Sequence, residues 1–190
     1  MDSSAPPPRT APSGRGSVRL LVGDPLFSTV FWGKLITGVG VWVHNIAAAI
    51  LAFQLTGSAT VVGLVSAAQF APQVVLSPRS GQLTDRGHLV SMIQIGRLIC
   101  ALGSGALAAW VWLAPEGHLG AAPLIVSSLV VGIGFTASGP ALQAIVPMII
   151  REGELPQAMR LNTAPLTISR ATGPAIGALL LLTVDHAWIF

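Results

Sequence analysis

Three cations interrupt the long apolar runs of this chain: Lys34, Arg97 and Arg170. No Asp or Glu shares those runs. A charge deep in a hydrocarbon layer is expensive and marks a pathway, a ligand or a partner unless its side chain can reach the interface. Lys34 and Arg97 fall on the order of 10 Å from one end of their runs at 1.5 Å per residue. For these two, snorkelling and a place in a polar pathway are both open readings. Arg170 falls near the middle of its run, roughly 20 Å from the far end. It calls for a water-filled cavity, an anionic ligand or a carboxylate from elsewhere, unless the helix starts later, near Thr163. His44 and Asn45, midway along the first run, are polar groups that could face the same cavity. A packed, hydrogen-bonded histidine is the plainer reading of His44.

The elements that hold these residues are apolar helices. Of 190 residues, 9% are charged and 52% hydrophobic, and the mean hydropathy is +0.73. A soluble domain averages about a quarter charged residues. Five stretches come near the ~20 residues that cross a hydrocarbon core: 28–51, 60–78, 90–113, 121–149 and 155–183. The sequence therefore predicts an all-α membrane protein with five transmembrane helices. Arg79 to His88 reads as a compact polar loop. Gly139-Pro140 predicts a tilt or kink in the fourth helix, and Leu155-Pro156 marks the start of the fifth.

Residues 1–23, rich in Pro, Gly and Ser, predict a disordered cytoplasmic tail ahead of a helical domain over 24–190. The first apolar run is too long for the h-region of a cleaved signal peptide. The net charge of +3 comes from dispersed basic residues, without the cluster of a nucleic-acid footprint. Arg9, Arg15, Arg19, Arg79, Arg86, Arg151 and Arg160 all fall on one side if the spans alternate, and Glu116, His118, Asp185 and His186 fall on the other. The positive-inside rule puts the N-terminus in the cytoplasm of a multi-pass protein of the plasma or inner membrane. Trp32 then lies near the inner interface and Trp110, Trp112 and Trp188 near the outer one. Cys100, the one cysteine, reads as a small buried side chain. No catalytic triad, phosphate-binding loop or metal-ligand cluster stands out. The expectation is a non-enzyme without cofactor or metal, whose surroundings are the lipid bilayer.

Gly81-Gln82-Leu83-Thr84-Asp85-Arg86-Gly87 resembles the signature loop between the second and third helices of the major facilitator superfamily of secondary transporters. Gly40 to Ala47, Leu55 to Ala59, Pro140 to Pro147, Glu154 to Ala158 with Leu161-Asn162, and Ile168 to Gly177 resemble successive segments of its enterobactin-exporter-like and drug-efflux branch. The resemblance covers about residues 24–182.

It implies export of a small molecule by alternating access, with protons as a possible coupling ion. The intramembrane polar residues Lys34, His44, Asn45, Arg97 and Arg170 are then the candidates to line a substrate path, and the resemblance implies that Gly81, Asp85 and Arg86 take part in gating. Gly81 would allow close helix approach, and Asp85 could cap the third helix. Gly173, Pro174 and Gly177 would serve close packing of the fifth helix. The family has twelve helices in two halves with substrate between them. The expected architecture is therefore an incomplete N-terminal half, needing a C-terminal half or a partner chain. The departures are a signature loop without further basic residues after Gly87 and a fourth helix without arginine. The rival reading is a truncated, non-transporting remnant or a small helical subunit that needs a partner.

Overall fold

The computed structural model describes residues 23–113, 120–150 and 154–183. All of the expected tail over residues 1–23 except Gly23, and Arg151, Glu116, His118, Asp185, His186 and Trp188, lie outside the described residues. Five long helices make up the rest: α1 Pro25–Thr56, α2 Ala59–Asp85, α3 Leu89–Leu113, α4 Ala121–Ile149 and α5 Leu155–Thr183. By length and composition, α1 to α4 can each cross a membrane. The expectation of five crossings is met on those grounds by four helices. In α5, Arg160 and Asn162 in the first half and Arg170 near the middle dilute its apolar character.

Local chemistry sets the helix ends. Asp24 caps α1, accepting from the Leu26 and Phe27 amides at 3.0 Å each, and Pro25 occupies the first turn, where its missing N–H costs nothing. Gly57 ends α1 in the left-handed region (φ 62°), its N–H donating to the Phe53 carbonyl. Gly87 (φ 86°) does the same service in the turn between α2 and α3. Both positions suit glycine because a Cβ is disfavoured there. The expected polar loop over Arg79–His88 is mostly helix: α2 runs on through Pro78 to Asp85. Ser80 and Thr84 are buried, and the Thr84 hydroxyl donates to the Ser80 carbonyl. The polar residues here continue the helix rather than end it, and the turn shrinks to Arg86-Gly87-His88.

Contacts fix the directions. Lys34 meets Asn162, Trp42 meets Gly173 and Ile46 meets Gly177, so α1 and α5 run parallel. Gly96 faces Gly134, and Ser127 donates to the Gly103 carbonyl, so α3 and α4 are antiparallel. α4 packs broadly on α2 and α3, α1 packs on α5, and α1 also meets α2 and α4. Small residues make the tightest of these approaches. A Cβ on Gly134 would sit 2.5 Å from the Gly96 carbonyl oxygen, and one on Gly132 would strike the Gln69 backbone. With lipid on the outside there is little hydrophobic drive between helices, and close backbone approach supplies dispersion contacts instead.

Apolar clusters close the bundle at both ends. Leu51, Val65, Leu107 and Leu124 join α1 to α4 beside the Gly57 turn. Phe27, Phe31, Val146 and Ala158 join α1, α4 and α5 at the other end. The outside of the bundle is itself apolar: Val74 is 82% exposed and Leu182 85%. Helices apolar all round belong in lipid or a large core, and the bundle is too small to bury them.

Candidate functional site: a cationic cavity between four helices

Between the two closed ends, α1, α2, α4 and α5 leave a cavity of about 320 Å³. That lies at the small end of the range of ligand sites, about 300–1,000 Å³. Its polar lining comes from Lys34 and Thr37 on α1, Gln73 and Ser77 on α2, Thr136, Ser138 and Gln143 on α4, and Arg170 on α5. Phe135, Leu142 and Leu166 supply apolar wall. A narrow recess continues from it toward Trp42, Gln69 and Phe70. α3 contributes no lining residue.

Proline shapes two of these walls. Pro72 and Pro78 lie inside α2, and Pro140 and Pro147 inside α4. A proline cannot donate to the carbonyl four residues back, so Pro140 deprives the cavity-lining Thr136 of its usual carbonyl partner. α4 nevertheless runs unbroken through Gly139-Pro140.

The two cations are held differently. The Lys34 ammonium donates to the Asn162 carbonyl at 2.9 Å and to Asn162 Oδ1 at 3.0 Å. Asn162 Nδ2 in turn donates to Gln143 Oε1 at 2.5 Å. A polar chain therefore crosses α1, α5 and α4 at the rim of the cavity. Arg170 lies near the middle of α5, and its guanidinium stacks over Trp42, 5.8 Å from the ring centroid. This is cation–π distance. α5 begins at Leu155, so the later start near Thr163 does not occur.

The five residues expected to share one path do not all meet. At about 100° per residue, Asn45 returns to within about 20° of the Lys34 side of α1. Its amide is already engaged with Gln69 Oε1 at 2.6 Å, and Gln69 Nε2 reaches the Val41 carbonyl. His44 lies about 80° round the helix from Lys34. It is 2% exposed, with Nδ1 3.1 Å from Ser104 Oγ on α3. It borders a separate lateral groove with Arg97 and Cys100. Arg97 folds its guanidinium onto Gly33, where a Cβ would collide with it. His44 and Asn45 thus do not line the cavity with Arg170: His44 is turned toward Ser104 of α3, and Asn45 is engaged by Gln69.

The signature segment also differs from expectation. Asp85 is the last residue of α2, four before α3 begins, and no bond from its carboxylate to α3 occurs among the described residues. Gly81 faces open space, with nothing within 4 Å of where a Cβ would lie. It mediates no close helix approach here. Arg86 is exposed in the turn that follows. Gly173 and Gly177 sit where a Cβ would strike Trp42 and Ile46, and Pro174 lies between them inside α5. Gln69 and Gln73 do not stand out in the sequence, and Gln143 and Asn162 stand there only within segments of family resemblance, with no site role. Each is an uncharged amide in an apolar helix, a signal weaker than a charge but of the same kind.

An all-helical bundle with four membrane-length apolar helices and a polar central cavity is the build of a multi-pass membrane protein. The family described as transmembrane secretion effector matches residues 22–190, and the chain belongs to this family of the major facilitator superfamily. It is similar to macrolide efflux protein A of Streptococcus pyogenes, at 27% identity over 154 residues. The same figures hold for the macrolide efflux protein A of S. pyogenes serotype M6. The match takes in 81% of this chain and 37% of the relative, so the chain spans little more than a third of the length of these relatives. No solved structure matches the chain.

Proposed function

We propose that this chain supplies the first helices of an efflux carrier, with α5 as a fifth crossing and the N-terminus in the cytoplasm. The basic residues Arg79, Arg86 and Arg160 gather at the end of the bundle where α2 finishes and α5 starts, which supports that orientation. The observation that carries the reading is the cavity: four helices of a secretion-effector bundle leave a polar, ligand-sized space with Lys34 and Arg170 on its wall. Similarity to a macrolide efflux protein supports a small, amphipathic substrate moved outward. Alternating access and proton coupling follow from the family as proposals. The remaining helices of the carrier would come from a longer chain or a partner, and would close the substrate site from the other side. Asp85 and Arg86 would engage that other side at the basic end and bias one access state.

The test is efflux from cells. The full reading frame containing this chain, expressed in a host stripped of its own pumps, should lower the steady accumulation of at least one amphipathic drug, macrolides included. Collapse of the proton gradient should restore accumulation. Accumulation indistinguishable from the empty-vector host across such a panel would overturn the reading.

A further inference from the structure

The charge balance of the cavity points to a substrate class. Of the five helices, only α2 carries a carboxylate, Asp85, and that is its final residue. Among the described residues, the cavity wall holds two cations and no acid. Lys34 is held only by neutral oxygens of Asn162, which leaves one of its three N–H donors unassigned. The Arg170 guanidinium lies over the Trp42 ring, 5.8 Å from its centroid, and among the described residues it makes no hydrogen bond. A guanidinium held beside an aromatic ring with its donors unspent can receive a carboxylate through two parallel bonds. Lys34 adds a point charge from α1.

We propose that the cavity takes acidic amphiphiles, binding a carboxylate at Arg170 and the apolar body against Phe135, Leu142 and Leu166, with Lys34 adding positive charge elsewhere on the same wall. This rests on the reading of the cavity as the substrate site. A cationic amphiphile would meet two like charges there, and a neutral one would leave the Arg170 donors without an anionic partner. The recess lined by Trp42 and Phe70 extends the apolar wall beyond the cation pair.

The test uses three matched fluorescent probes: dansylglycine, its methyl ester and the corresponding dansyl amine. They are titrated into the purified full-length protein in phosphatidylcholine nanodiscs, which carry no anionic lipid to compete. Dansylglycine should bind at least about tenfold tighter than the ester, the scale of one charge-assisted hydrogen-bond pair, and the amine weakest. Arg170→Gln should bring acid and ester to the same affinity, Arg170→Lys should keep part of the difference, and Lys34→Gln should reduce it. Unchanged ester affinity in each variant shows the cavity still folded. Equal wild-type affinities, a preference for the amine, or an acid preference that survives Arg170→Gln would overturn the proposal. Energised efflux of the drug panel is read separately: efflux without acid preference sinks the carboxylate site alone. Acid preference without efflux supports the site and sinks the export reading.

Discussion

Lys34 holds both oxygens of Asn162, a residue 128 positions further along the chain, with contacts of 2.9 and 3.0 Å. This places the ammonium of α1 on the backbone of α5. Asn162 then passes the connection to Gln143 on α4. α4 and α5 otherwise touch only slightly, so this polar chain adds a direct α4–α5 tie to the packing of α1 on α2 and α4.

Asn162→Ala removes the side-chain bonds to both Lys34 and Gln143. The expected cost is about 1–2 kcal/mol, given that intramembrane hydrogen bonds average below 1 and charged ones exceed neutral ones. Thermal unfolding of the purified protein in detergent should show a lower midpoint for Asn162→Ala. Asn162→Asp keeps the partner for Lys34 and should fall between Ala and wild type. An Ala variant as stable as wild type would mean the chain of bonds contributes nothing.

The glycines divide into two groups with opposite expectations. Gly134→Val drives a side chain into the Gly96 carbonyl. Overpacking costs about 1–3 kcal/mol or more, and here the obstacle is backbone, which cannot step aside. Gly105→Ala meets nothing within 4 Å and should be neutral or stabilising by up to about 1 kcal/mol through helix propensity. Yields of monodisperse protein in size-exclusion chromatography distinguish the two groups, and equal yields would contradict the α3–α4 packing.

Asn45 and Gln69 should be coupled. In a double-mutant cycle with Asn45→Ala and Gln69→Ala, the two losses should be non-additive by about 0.6–1.7 kcal/mol, the range for helix-to-helix hydrogen bonds in lipid. Strict additivity would show that the 2.6 Å contact carries no energy.

Orientation is open to thiol labelling. Cys100 is buried, with its thiol facing the Val131 carbonyl, and Cys100→Ser gives a silent background. An impermeant reagent added to intact cells should label a cysteine at Ser58, in the α1–α2 turn, and spare one at Arg86, in the α2–α3 turn. The reverse pattern would invert the topology.

Much of the architecture was legible because membranes impose a simple rule: long apolar runs become helices that satisfy their own backbones. Five helices and the position of Arg170 near the middle of the fifth follow from hydropathy and charge. The continuation of α2 to Asp85 was not legible, since Arg79-Ser80-Gly81-Gln82 reads as punctuation whether or not it is helical. The separation of His44 from Lys34 needed the rotation of α1 and the position of α3. The clasp through Asn162 depends on a pairing of distant helices that no local pattern encodes.

The central claim is that the cavity walled by Lys34, Ser77 and Arg170 is the route of the substrate. Ser77 is exposed on that wall, its hydroxyl turned back to the Gln73 carbonyl, so Ser77→Trp fills the space without displacing core. Efflux by the full reading frame carrying Ser77→Trp, normalised to the amount of protein in the membrane, is the most direct measurement. The expected result is loss of at least about nine-tenths of efflux, roughly the tenfold that 1.4 kcal/mol represents, with Gly105→Ala retaining wild-type efflux. Wild-type efflux from a normally inserted Ser77→Trp protein would place the substrate route elsewhere.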